Sequence, residues 1–157
     1  MPLENLRTNE LYAMLPAELR EELGKHEQSV TLPEGTKLIE HGVLPDRLFI
    51  LNSGTVKISV PCPRKFASFT TEQAGKVFGM RPAISGELPD VDVICVKPCS
   101  LTLLPRDIFI TLLKTRPEMY FAVAKVLSAD LRIANHILRN QSYRRSTPSA
   151  ARVARLI

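Results

Sequence analysis

The chain has no segment approaching 18 uncharged apolar residues, so a membrane-spanning helix is not expected. Its first residues, Met-Pro-Leu-Glu-Asn-Leu-Arg, lack the basic-then-apolar pattern of a secretory leader. A cytoplasmic protein is the expectation. Cysteine is scarce: Cys62, Cys95 and Cys99 cannot all pair with one another, and in a reducing compartment they read as free thiols. No cysteine precedes Cys62, and an iron–sulfur cluster, which cysteine thiolates hold, is not expected. The three histidines, His26, His41 and His136, show no metal-ligand spacing, and no Ser/His/Asp grouping, Walker loop or paired-carboxylate site stands out. No enzyme activity and no metal site are expected.

Acidic residues are also missing from one end. The last is Asp130, whereas Arg139, Arg144, Arg145, Arg152 and Arg155 follow Leu138. The formal charge of +5 therefore sits in the tail, and positions 1–138 hold 16 basic against 16 acidic residues. Such a tail can meet nucleic acid, an acidic partner surface or solvent.

What is present is one domain's worth of chain, 157 residues with 45% hydrophobic content, enough for a normal core. Leu11, Leu15, Leu19 and Leu23 recur at helical spacing over 8–26, with Thr8-Asn-Glu able to cap the start and Pro16 dividing the segment into two short helices. From Ser29 to Leu104 short runs rich in Val, Ile, Thr and Phe alternate with Gly, Pro and Asn turns, which predicts strands at 29–32, 36–40, 47–52, 55–60, 65–72, 91–97 and 100–104. Pro33-Glu34-Gly35 fits a type II turn, and Asn52-Ser53-Gly54 fits a hairpin. Helix returns at 105–115 and again, behind Pro117, to about Tyr143. This last helix carries two apolar seams. One is Tyr120, Ala124, Leu127, Leu131, Ala134 and Leu138; the other is Ala122, Val126, Ala129, Ile133 and Ile137. A surface helix needs one stripe, so two stripes call for two partners, its own barrel and another chain.

The most informative feature is Gly75-Lys-Val-Phe-Gly79-Met80-Arg81, where two glycines let the backbone turn and approach a ligand. Its order after Leu15-Pro16-Ala-Glu-Leu19, Leu32-Pro33-Glu34-Gly35-Thr36, Gly42 with Pro45-Asp46 and Leu51-Asn52-Ser53-Gly54-Thr55-Val56, and before Cys99-Ser-Leu-Thr-Leu-Leu-Pro105 and Pro117, resembles the effector domain of the Crp/Fnr regulators, in the cyclic-nucleotide-binding-domain superfamily. The resemblance implies a mainly β fold with flanking helices, a double-stranded β-roll or jelly-roll barrel plus a long C-terminal dimerisation helix. It implies N-terminal helices and effector-binding β-roll over 1–116, a dimerisation helix over 117–143 that pairs as a coiled coil, and a basic tail over 144–157. In such regulators Ala150-Ala-Arg152-Val-Ala154 would open a helix-turn-helix domain. Eight residues cannot place a recognition helix in the major groove, so these 157 residues are not expected to bind DNA specifically. The implied partners are a second copy and a small-molecule effector. The dimer candidates are Leu127, Leu131, Ala134 and Leu138.

In cyclic-nucleotide-binding relatives a glutamate follows the second glycine and contacts the ribose, and about ten residues later an arginine grips the phosphate. Here the matching positions hold Met80 and, across a one-residue gap, Pro89-Asp90. Met80 cannot accept a ribose hydrogen bond, Pro89 has neither charge nor N–H, and Asp90, near Glu87 and Asp92, repels a phosphate. Loss of the charged contact and gain of like charge cost several kcal/mol, on the order of 10²–10⁴ in affinity. Cyclic nucleotide is therefore disfavoured. Arg81, beside a short helix over Pro82-Ala-Ile-Ser85, could replace the arginine from the other side. Gly79, Met80, Arg81, Ile84, Pro89 and Asp90 are the ligand-binding candidates, and Met80, Ile84 and Leu88 suit a less charged effector or a filled core. Haem-binding relatives use a barrel cysteine or histidine; Cys62-Pro63 is the one short match, and it reads better as a strand-ending turn. Pro98 between Cys95 and Cys99 argues against a shared face for those thiols, which read as buried and inert. The alternative to a sensor is an interaction module with a permanently closed pocket.

Overall fold

The computed structural model describes residues 11–61 and 66–141, with side chains described over 11–60 and 68–132. Among these residues a 3₁₀ turn at Tyr12–Met14 and helix α1 (Ala17–Gly24) come first, broken at Pro16 as proline requires. The predicted Thr8 cap lies outside the described residues. Then follow β1 (Gln28–Leu32), β2 (Lys37–Ile39), β3 (Arg47–Ser53), β4 (Val56–Pro61), β5 (Phe66–Thr71) and β6 (Val77–Phe78). A six-residue helix α2 (Met80–Ser85) leads to β7 (Asp92–Cys95) and β8 (Cys99–Pro105), and the order ends with α3 (Arg106–Thr115) and α4 (Glu118–Gln141).

The strands form two four-stranded antiparallel sheets, ordered β1-β8-β3-β6 and β2-β7-β4-β5. This is the mainly β roll with flanking helices that the resemblance implies. Strand β3 explains the layering. Phe49 and Leu51 face the other sheet, while Leu48 and Ile50 face the helices. A strand buried on both sides reads as an unbroken apolar run rather than an alternating one. The second core holds Leu48 and Ile50 against Leu19 and Leu23 of α1, Phe109 of α3 and Met119 of α4. Each such side chain contributes about 1.5–3 kcal/mol when fully buried.

Two turns require comment. Gly35 has φ +88° and Thr36 N–H donates to the Pro33 carbonyl at 3.2 Å, the geometry of a type II turn. Asn52-Ser53-Gly54 is not a hairpin: β3 and β4 lie in different sheets, so the turn carries the chain across the roll. Alternation shows which side chains face inward but not which sheet the next strand joins. At the same end Cys95 and Cys99 close another crossing, from β7 to β8, and both line the inter-sheet core. Their thiols come within hydrogen-bonding reach of each other. Pro98 does break the strand, but two strands facing one core bring the sulfurs together without sharing a sheet. Burial first, then the neighbouring Cys99 sulfur, pushes the Cys95 thiol up to about 12. Because both sulfurs are buried and the reactive thiolate of Cys95 is disfavoured, alkylation of Cys95 and Cys99 by iodoacetamide near pH 8 should be slow in the folded protein and complete within minutes in denaturant. Mass spectrometry of the labelled peptides checks this, and rapid native labelling would refute it.

Candidate functional site

The glycine-bounded loop and α2 form the region marked by the sequence. Gly75 (φ +87°) donates its N–H to the Leu51 carbonyl at 2.6 Å, and the Lys76 carbonyl accepts from Leu51 N–H at 2.9 Å. The backbone is thus fastened to β3 before β6 begins, and Ile50 pairs with Val77 and Phe49 with Phe78. Gly79 (φ +89°) then starts α2. A Cβ there would lie 3.3 Å from the Arg47 carbonyl, so glycine serves both the turn and the close approach to β3. Gly86 (φ +71°) ends α2, with its N–H on the Pro82 carbonyl.

The ligand-binding candidates separate around this helix. Met80 is buried in the core between the outer sheet face and the helices. Arg81 reaches back over the helix to Glu87, Nη2 to Oε2 3.1 Å, with both side chains partly in water. Ile84 is exposed, as is Leu88. Pro89 is buried, and its carbonyl accepts from Gly42 N–H at 2.9 Å; Asp90 is half-buried. Nearby Asp92 Oδ1 accepts the His41 N–H at 2.9 Å and lies 3.7 Å from Lys37 Nζ. On the far side, Arg106 Nε of α3 donates to the Ala83 carbonyl at 3.2 Å and holds α2 to the helical layer. The arrangement brings Arg81 to a carboxylate of its own chain and turns Met80 away from solvent.

A cleft of about 310 Å³ opens elsewhere, where β1, β8 and β3 meet the start of α3. His26, Asp46, Arg47 and Asp107 line it, and none of the six ligand-binding candidates does. Arg47 Nε already holds Asp46 at 3.0 Å, which keeps the Asp46 carboxyl below its ordinary range. Among the described residues no group of three His, Cys, Asp or Glu side chains could hold a metal ion, and no helix is long and apolar enough to cross a membrane.

Helix α4 presents two faces. Met119, Ala122, Val123 and Val126 are buried, followed one turn later by Asp130. Tyr120, Leu127 and Leu131, on the other face, are 56%, 36% and 48% exposed. Ala134 and Leu138 lie outside the residues whose side chains are described. Sequence reasoning did not find Lys76 and Asp130. Lys76 Nζ donates to Asp130 Oδ1, and the two side chains are 3% and 5% exposed. The available signal was an aspartate in register with the Met119, Ala122 and Val126 stripe. Burial pushes the Asp130 carboxyl up, and the Lys76 ammonium beside it pulls it back down.

The cyclic nucleotide-binding domain family matches residues 29–116. Among solved structures, the chain is similar to the Thermus thermophilus catabolite activator protein, with 20% identity and a TM-score of 0.70 over 86% of this chain and 64% of that one. It is similar to the N-terminal domain of a transcriptional regulator from Streptomyces coelicolor A3(2), with 24% identity and a TM-score of 0.64 over 85% and 94% of the two chains. It is also similar to the sensor domain of the transcriptional regulator DNR from Pseudomonas aeruginosa, with 20% identity and a TM-score of 0.64 over 80% and 90%. The chain therefore spans under two thirds of the length of the Thermus protein. No curated protein matches the sequence.

Proposed function

The chain belongs to the cyclic nucleotide-binding domain family, and from that premise we propose that it is the dimerising, ligand-sensing part of a Crp/Fnr-like transcription regulator whose pocket has lost its affinity for cyclic nucleotides. The observation that carries the reading is the two-faced α4. One stripe is buried on the roll, and the neighbouring seam, Tyr120, Leu127 and Leu131, lies open to a second copy. A sensor of this kind converts a change in the roll into a change between two copies of this helix. The altered specificity is supported by Met80 in the core and by Arg81 on Glu87, which leave the ribose and phosphate contacts without their usual donors and acceptors. The effector expected is small and less charged than a nucleotide.

Thermal unfolding with cyclic AMP, cyclic GMP and a panel of neutral metabolites tests the pocket. A ligand at 100 times its Kd adds about 2.7 kcal/mol. Neither cyclic nucleotide at 1 mM is expected to raise the midpoint; a clear rise with either overturns the altered specificity and makes Arg81 the phosphate anchor. If no compound acts, the closed interaction module becomes the better reading, since the Arg81–Glu87 pair and the buried Met80 fit it equally well. Sedimentation tests the seam. The wild-type chain should run as a dimer at micromolar concentration, and Leu131→Glu, which places a charge in that seam, should shift it to monomer by at least tenfold in Kd. A monomeric wild type rejects the dimer.

A further inference from the structure

We propose that the buried Lys76–Asp130 pair is a register lock, fixing where α4 sits along the roll and tying it to the loop that launches α2. The inference rests on reading the chain as a sensor. It begins with the stripe of α4 that faces the roll. Met119, Ala122, Val123 and Val126 are all apolar, though they differ in size and the two valines are branched. A slide of one turn, about 5.4 Å, that brings each residue to the place of the one four before it would put Val123, Val126 and Leu127 where Met119, Ala122 and Val123 pack. Hydrophobic burial is non-directional, so on this stripe only the mismatch in side-chain size resists such a slide. Asp130 changes this. After a slide of one turn its carboxylate and the Lys76 ammonium would both be buried without each other, the arrangement that proteins tolerate least. Fixing register is the best-attested use of buried polar and ionic groups, which seldom add stability over a packed apolar pair.

The loop side is equally constrained. Lys76 lies between Gly75, whose N–H is held by Leu51, and Val77, which pairs with Ile50 in β3. Three residues beyond Lys76, Gly79 starts α2. The stretch from Gly75 to α2 thus moves with β3 and α2, and through Lys76 it holds α4 by a directed polar contact. A displacement of α2 on binding an effector reaches α4 through this pair, and a shift of α4 at a dimer seam returns to α2 the same way. Lys76 and Asp130 act here as positioning residues; neither needs to touch the effector.

Native-state hydrogen exchange across a urea series on the full 157-residue chain tests this without any ligand. It compares the wild type with Lys76→Met/Asp130→Leu and with the reversed pair Lys76→Asp/Asp130→Lys. In the wild type, peptides covering 73–79 and 123–132 should open together, with one urea dependence. In the apolar double variant, at a similar midpoint of unfolding, the 73–79 peptide should exchange at least tenfold faster than the 123–132 peptide at low urea. The reversed pair should bring the two back together. A purely structural role would change the midpoint and leave the two segments opening together. Asp130→Asn, which keeps size and an acceptor oxygen, takes the place of the apolar pair if that variant does not fold. The lock is overturned if the segments already open separately in the wild type, or if they stay superimposed in the variant, because packing alone would then couple them. Sedimentation of the wild type decides the dimer and the thermal panel decides the effector, so either can fail while the lock stands.

Discussion

Gly54→Ala is expected to destabilise the protein by roughly 2–6 kcal/mol, read from the urea midpoint, with about 1–3 from forcing a side chain into a left-handed backbone and about 1–3 from overpacking. Gly54 has φ +107°, and an added Cβ would lie 2.6 Å from the Pro98 carbonyl and 2.8 Å from both Cα and Sγ of Cys99. The neighbours are backbone or a buried sulfur, not the free end of a flexible side chain. The reason for the crowding is topological. Two crossings between the sheets, β3 to β4 and β7 to β8, stack on each other here, with Val96 N–H on the Thr55 carbonyl at 3.0 Å and Cys99 Sγ 3.4 Å from that carbonyl. Gly35→Ala is the control: its φ is +88°, but nothing lies within 4 Å of the added Cβ. It should lose only the backbone part, about 1–3 kcal/mol. Equal losses at the two positions would show that the crossing relaxes around the methyl group.

The second large effect is expected at the buried ion pair. Lys76→Met alone should cost about 3–5 kcal/mol, because it leaves the Asp130 carboxylate in a site 5% exposed with its cation gone. Asp130→Leu alone should cost a similar amount for the opposite charge. The double substitution should come back to within about 1 kcal/mol of wild type or exceed it, since a packed apolar pair avoids the desolvation that burdens both ions. The non-additivity is the decisive quantity, and denaturant titration of the four proteins measures it. If the two single losses simply add in the double variant, the side chains act through packing with other neighbours and not through each other.

These two predictions mark where the sequence was sufficient and where it was not. The helix, strand and turn order was legible because the signals are local. Pro16 broke the first helix, Pro33-Glu34-Gly35 turned as written, and the Ala122 and Val126 stripe marked the side of the last helix that packs on the roll. Strand β3 was found by its apolar run, which is what a strand buried on both faces looks like. Strand β6, two residues long, carried too little pattern to register. Asn52-Ser53-Gly54 was misread as a hairpin because turn composition reports a change of direction, whereas the sheet that receives the next strand depends on partners far away in sequence. For the same reason Pro98 wrongly seemed to separate Cys95 from Cys99.

The candidate site divides along the same line. The sequence by itself determined the order of the glycine and proline turns and the side-chain types near them: methionine after Gly79, a Pro89-Asp90 pair, and acidic residues at 87, 90 and 92. Side-chain type alone settles which charges are available. Only the tertiary structure decided what those side chains face. It placed Met80 in the helical core, set Arg81 on Glu87, and joined Lys76 to an aspartate 54 positions away. Pairing across such a distance is fixed by how sheets and helices stack to bury apolar surface, and that stacking is a property of the whole chain rather than of any window within it.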